Sequence, residues 1–286
     1  MHRSYRPILL FAWALVLAAE EAPPALKPVP QISEAEREAF LKTAKIVEKK
    51  VMDVGTTAST RAKLSNGAIT HDAHIQYVDV FKPVFRGKEG TIEKNFRDTY
   101  KFNIAAYRLS KLLGLDSMVP MSVERDVDAK FASVTWWVDN VWMTEAERRD
   151  KKIKPPADQG WVDLLNIVRV FDQLIYNTDR NQGNLLISPD WKLYMIDHTR
   201  AFRANRTLFK PESLSRCDFK LLQAMKQLNT LTLKQELGAY LRPEEIAGLL
   251  ARRDLIVQFF EKESKQKGED SVLTGMPRKT PSVSVP

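Results

Sequence analysis

The stretch from residue 178 to residue 200, TDRNQGNLLISPDWKLYMIDHTR, constrains this chain more than any other. Its two short apolar runs, Leu185–Ile187 and residues 191–196, predict an antiparallel strand–turn–strand frame. Gly183 permits a tight turn just before Asn184. Asp179 precedes Asn184 by five residues, and Asp197 follows Asn184 by thirteen, at the end of the second run. The frame therefore carries two carboxylates and a carboxamide to one mouth. Hard oxygen donors so placed suit magnesium. Phosphoryl transfer needs this trio: one carboxylate orients the nucleophile's proton, while a carboxylate and a carboxamide hold metal against nucleotide phosphates. A plain polar hairpin with turn-forming Asn and Asp is the other reading of the same residues.

The chain has 286 residues, enough for one large or one two-lobed domain with a substantial core. Its net charge of +8 suits phosphate ligands or an anionic surface and makes no case for nucleic acid. Residues 1–19 read as a signal peptide: His2, Arg3 and Arg6 lead into the uncharged run PILLFAWALVLAA. That run is shorter than the ~20 residues of a comfortable membrane span. An uncleaved anchor and a buried helix are the alternatives. The reading predicts an exported protein, periplasmic or secreted. Residues 20–32, with Pro23, Pro24, Pro28 and Pro30, read as an extended linker. Cys217 is the only cysteine, so no intrachain disulfide and no multi-cysteine metal site can form. The four histidines show no zinc spacing. We expect a monomer.

The element pattern is β-rich, then helical. A capping box at Ser33 starts a helix expected to run to about Val51. Ser59–Ser65 and residues 68–82 read as strands around an Asn66-Gly67 turn. Residues 96–115 carry the spacing of a helix with one buried face. Residues 118–125 and 131–138 read as strands, and residues 161–176 as a strong amphipathic helix. Helices follow at 217–228, 231–241, 243–251 and 254–265, and residues 272–286 read as a disordered tail. The fold class is α+β: an N-lobe of residues 33–138 and a mostly helical C-lobe of residues 139–271, with a cleft between.

DRNQGNLLI followed by LYMIDHTRAF resembles the catalytic and metal-binding loops of atypical kinases of the phosphatidylinositol 3-/4-kinase-like type, here as a bacterial, exported member. The resemblance covers residues 55–269, and is strongest over 161–202. It implies a two-lobed protein-kinase-like fold with ATP and Mg²⁺ between the lobes. It implies Asp179 as the catalytic Asp, Asn184 as a metal ligand and Asp197 as the second, metal-binding Asp. His198-Thr199 stand where that motif continues Phe-Gly.

The N-lobe should then supply a phosphate loop and a lysine. Gly55, Thr56, Thr57 and Ser59 could cover phosphates with N–H and hydroxyl groups, or form an ordinary loop into a strand. Lys82 follows the apolar run Tyr77–Phe81 and could reach the phosphates, or lie on the surface. Asn103 stands where the resemblance implies a glutamate partner for that lysine; it can hydrogen-bond a lysine but not neutralise it. Glu93 lies upstream and could substitute only from a displaced helix. Residues 135–138 would be the adenine-contacting hinge, with at least one of Trp136 and Trp137 in the core. Arg180 would brace the loop. Arg200, Arg203 and Arg206 make the segment after Asp197 basic; they could receive an anionic substrate or simply be solvated. Two functions follow: an ATP- and magnesium-dependent phosphotransferase on an unidentified hydroxyl acceptor (protein, lipid or small molecule), or a catalytically impaired module that binds a nucleotide or a partner. Transfer of another group from a nucleotide would use the same metal site.

Overall fold

The computed structural model describes residues 22–52, 59–87, 92–157 and 160–277. The proposed signal peptide and Gly55, Thr56 and Thr57 lie outside these residues. Helix α1, Glu34–Thr43, starts at the expected capping box: Ser33 accepts from Glu36 N at 3.2 Å, and the Glu36 carboxylate accepts from Ser33 N at 2.7 Å. It stops earlier than expected. Ala44 is extended, and Lys45–Met52 forms strand β1, which gains a ladder of partners from Ser65 to Ser59 in β2, Ser59–Ser65. Sheet pairing here overrides helix-compatible residues. Strand β3, Thr70–Gln76, follows a loop in which the Asn66 side chain caps Ala68 N and Ile69 N.

Two strands stand apart from this sheet. Strand β4, Asp79–Arg86, and β5, Ile92–Thr99, pair antiparallel with each other and form a separate ribbon. Residues 96–99, expected in a helix, thus belong to β5, and helix α2 is Lys101–Leu112. Strands β6, Ser122–Val127, and β7, Lys130–Trp136, complete a five-stranded antiparallel sheet in the order β1-β2-β3-β7-β6. Its ladder sorts residues by face. Ala62, Leu64, Ala73, Ile75, Val134 and Trp136 are buried on one side, where Phe40 of α1 packs edge-on against Trp136. Arg61, Asp72, His74, Gln76 and Ser133 alternate onto the other, polar side.

The second lobe begins with β8, Met143–Thr144, α3, Glu145–Asp150, and α4, Gly160–Ile175. The expected hairpin is present: β9, Leu185–Ile187, pairs antiparallel with β10, Leu193–Met195, and β8 flanks β9. Strand β11, Cys217–Asp218, precedes α5, Phe219–Gln227, and α6, Thr230–Leu237. Helix α7 runs unbroken over Pro243–Lys267, through the expected break at residues 252–253. Arg252 is fully buried there, and its guanidinium donates to Leu174 O at 2.9 Å and Arg203 O at 2.8 Å. The short helix α8, Glu269–Val272, and β12, Leu273–Thr274, correct the expected tail: Val272 and Leu273 are buried, and β12 pairs parallel with β11. Residues 278–286 lie outside the described part. Among the described residues no helix is long and apolar enough to cross a membrane.

Gly248 lets α7 approach the segment after Asp197. A Cβ on Gly248 would meet the Ala204 carbonyl carbon and oxygen at 2.9 Å. Both are backbone atoms that cannot swing aside. Gly248→Ala is therefore expected to destabilise the chain by about 1–3 kcal/mol by overpacking, exceeding the ~1 kcal/mol that alanine gains in helix propensity. Urea denaturation of the two proteins measures the sign directly.

Candidate active site

The described geometry centres on Arg180. Helix α4 delivers the chain to it: Asn177 N donates to Asp172 O at 2.8 Å, and Asn177 Nδ2 donates to Asp172 Oδ1 at 3.1 Å. Asn177 Oδ1 in turn accepts from Asp179 N at 3.2 Å, which sets the start of the loop. The Arg180 Nε donates to both Asp172 oxygens, at 3.2 and 3.1 Å. Its Nη1 donates to Ile196 O at 2.5 Å and Asn184 O at 3.3 Å, and its Nη2 to His198 Nε2 at 2.9 Å. One guanidinium thus ties α4, the Asn184 turn and the segment that leads from β10 to Asp197. The bracing role expected of Arg180 is its observed one.

This arrangement brings the sequence trio together. Ile196 N donates to Asn184 O at 3.1 Å, so Asn184 and Asp197 emerge side by side. Asp197 is exposed, takes a left-handed backbone at φ 56°, and accepts from the Thr199 hydroxyl at 3.3 Å. Asp is one of the few residues that adopts this conformation readily. Asp179 is half exposed, with Arg200 Nη1 3.5 Å from its carboxylate. Partial burial pushes the Asp179 carboxyl above the usual carboxylate range. Arg200 opposes that rise, and the like charges of Asp197 and Asp98 add to it. Among the described residues no three His, Cys, Asp or Glu side chains form a metal cage. A magnesium-type ion needs none, because it keeps waters and phosphate oxygens and takes one or two protein carboxylates. Asp197 with the Asn184 carboxamide fits that demand.

His198 is buried and held neutral. Burial lowers its imidazole well below the ordinary value, and the Arg180 charge adds to the effect. Arg180 can only donate, so Nε2 carries the lone pair and the proton sits on Nδ1.

The phosphate-anchoring half differs from expectation. Lys82 lies mid-strand in the β4–β5 ribbon, opposite Phe96, exposed, with its ammonium 5.2 Å from the Phe85 ring. The ribbon is bound to the C-lobe. Arg97 makes a two-pronged pair with Glu245 of α7 at 2.7 and 2.6 Å, and Asp98 pairs with Arg200 at 2.7 Å. Glu93 pairs with Arg203, which removes Glu93 as a partner for a phosphate-binding lysine. Thr99 N also donates to Thr199 O at 2.9 Å. The ribbon is a brace between the lobes, because its charges face those of the segment after Asp197. Arg203 is buried in that brace, so only Arg206 of the expected solvated arginines is fully exposed.

Gln76, unlike Lys82, lies across from Ser133, the partner of Asn103. Gln76 ends β3, is buried, and lies opposite Ser59 on one side and Ser133 on the other. Asn103 of α2 reaches the same place: its Nδ2 donates to Ser133 Oγ at 3.4 Å, and its Oδ1 accepts from His198 N at 2.9 Å. Asn103 therefore positions the residue next to Asp197, and among the described residues its side-chain hydrogen bonds go to Ser133 and His198, not to a lysine. The signal for Gln76 is in the sequence: THDAHIQ alternates, with Asp72, His74 and Gln76 on one face. At the hinge, Trp136 is core and stacks on His71 with ring centres 3.6 Å apart, while Trp137 lies under Arg61. The proline-rich segment docks beside it: Lys27 N donates to Asn140 Oδ1 at 2.8 Å, and Asn140 Nδ2 returns a bond to Lys27 O at 2.9 Å. Cys217 is buried, which pushes its thiol up and leaves it inert.

No family model matches the sequence, and no curated protein matches it. Solved structures do. A hydra Fam20 protein, solved with a sugar, superposes with a TM-score of 0.61 at 18% identity, covering 85% of this chain and 93% of its own. A Golgi casein kinase with manganese and ADP bound gives 0.58 at 16% identity, covering 87% and 80%. The fold is kinase-like. Its β-rich N-terminal lobe and helical C-terminal lobe follow that plan.

Proposed function

We propose that this chain is an atypical kinase-like phosphotransferase that binds ATP with magnesium in the cleft and transfers its terminal phosphoryl group to a hydroxyl acceptor. The observation that carries the reading is the Arg180 clamp, which sets Asn184 and Asp197 side by side and Asp179 within the field of Asp197. Asn184 and Asp197 would hold the metal, which when bound neutralises phosphate charge. Asp179 would orient the acceptor hydroxyl, and its raised pKa moves it toward the range of a useful proton acceptor. The manganese and ADP of the Golgi casein kinase support a nucleotide and a divalent ion here. The DRNQGN motif supports the phosphatidylinositol 3-/4-kinase-like type, and the N-terminal run supports export.

A second reading rests on Gln76 and Asn103: a module that binds nucleotide or a partner without turnover. Calorimetry with ATP and Mg²⁺, paired with labelled-phosphate transfer, separates the two. Asp197→Asn keeps a side chain that accepts the left-handed backbone and removes the charge. It is expected to weaken metal-dependent ATP binding about tenfold to a hundredfold, the scale of one lost charge-assisted contact. Unchanged binding would sink the site assignment. Binding without transfer to any acceptor would favour the second reading.

A further inference from the structure

The β4–β5 ribbon meets the C-lobe through β5, where Arg97, Asp98 and Thr99 make its contacts. Strand β4 alternates Val80, Lys82, Val84 and Arg86 onto one face. The ladder sets Lys94 opposite Val84 and Ile92 opposite Arg86, and residues opposite each other in an antiparallel pair share a face. Three apolar side chains thus interleave with three cations. All six are exposed, Val84 at 54% and Ile92 at 59%. No carboxylate among the described residues pairs with Lys82, Arg86 or Lys94. The acids of the ribbon are placed elsewhere. Glu93 pairs with Arg203 and Asp98 with Arg200, and Asp79 alternates onto the other face.

A lone two-stranded ribbon is marginal in water, and exposed apolar side chains grouped on one mark an interaction surface. Its partner must be anionic and apolar at once. Lys82 and Pro83 blunt β4 as an edge, which disfavours an added peptide strand. The headgroup boundary of a bilayer meets both demands. Phosphate oxygens face the cations, acyl chains receive the apolar side chains, and Lys and Arg stems lie along the apolar surface between them.

We propose that this face of the β4–β5 ribbon docks on an anionic phospholipid surface, with Val84 and Ile92 entering the headgroup boundary and Lys82, Arg86 and Lys94 on the phosphates. The base of the ribbon touches the segment after Asp197, through the 2.9 Å bond from Thr99 N to Thr199 O and the 2.7 Å pair of Asp98 with Arg200. Docking therefore holds the candidate site close to lipid. It does not depend on the nucleotide reading above.

The test puts one environment-sensitive dye on the ribbon. Cys217 is the only cysteine and is buried, so Ile92→Cys supplies a single reactive thiol. Leu231→Cys, at a position 67% exposed on α6, is the control. Residues 1–19 are present in every protein compared, so any binding they cause is common to all. On vesicles of phosphatidylglycerol and phosphatidylcholine in equal parts, the dye at position 92 is expected to report an apolar environment. On phosphatidylcholine alone it stays in water, and the dye at position 231 stays in water on both. Adding Lys82→Gln, Arg86→Gln and Lys94→Gln to the Ile92→Cys protein, with its fold checked by thermal unfolding, is expected to raise the lipid needed for half the signal about a hundredfold, the scale of three cations at an anionic surface. A dye at position 92 that stays in water on the anionic vesicles overturns the proposal. So does an equal signal on the two compositions, an equal signal from position 231, or a folded neutralised variant with an unchanged lipid requirement. A response at position 92 to polyglutamate but not to vesicles assigns the face to an acidic peptide and overturns it as well. The two vesicle compositions and the control position decide the matter even if the neutralised variant does not fold.

Discussion

Arg180→Met is expected to destabilise the chain by about 3–5 kcal/mol, because it breaks a buried ion pair and leaves a charge behind. The two side chains are 10% and 8% exposed, so water cannot take over the lost contacts. Burial already pushes the Asp172 carboxyl up, and Arg180, with Asn177, is what holds its charged form. Methionine fills much of the volume but satisfies neither Asp172 nor the carbonyls of Asn184 and Ile196. Urea denaturation gives the loss. The companion variant Arg180→Met/Asp172→Leu removes both charges and should recover part of it, since the uncompensated carboxylate is gone. A single variant as stable as the natural chain would show that the clamp is dispensable. A double variant worse than the sum of its parts would show that packing, not charge, dominates. Nucleotide affinity should fall with stability, because the same guanidinium sets Asn184 beside Asp197.

Acid is expected to be nearly as damaging. His198 is lowered well below its ordinary value by burial, and His74 is pushed down to about 4 by burial. A histidine whose folded pKa is depressed binds its proton more readily when unfolded. Stability is therefore complete above the unfolded pKa of about 6.5 and is lost as pH falls below it. The slope is about 1.4 kcal/mol per pH unit for each histidine. Loss for His74 levels off near pH 4, and for His198 it continues lower. Between pH 7.5 and 5.5 the two together should remove about 2–3 kcal/mol. Denaturation midpoints at those pH values measure it. His198→Gln should flatten the slope by about half. An unchanged slope in that variant would mean His198 is not the group that titrates.

Much of the site can be read from residues near one another in sequence. The apolar runs that flank Asp179, Asn184 and Asp197 point to their grouping, because a hairpin's register is local. The capping box at Ser33 and the amphipathic pattern of α4 were similarly plain. The errors have a common source. Residues 45–52 and 96–99 can support a helix by composition, yet the neighbouring strands β2 and β4 claim them as ladder partners. Helix α7 continues through Arg252 because its buried guanidinium is satisfied by the carbonyls of Leu174 and Arg203. Residues 272–274 look like the start of a tail until Cys217 and Asp218 offer them a ladder.

By itself the sequence determined the chemistry on offer: hard oxygen donors at a hairpin mouth, a net basic chain and a lone cysteine. It also determined which residues share a face, since side chains alternate along a strand whatever the strand pairs with. Tertiary structure decided which strand lies beside Asn103. Lys82 and Gln76 sit only six residues apart. Only the sheet order shows that β3 pairs with both β2 and β7 while β4 leaves to form the brace with β5. Strand order depends on burial and hydrogen bonds summed over segments distant in sequence, and no local pattern reports it. That choice puts Lys82 on the brace and Gln76 opposite Ser133, which Asn103 reaches.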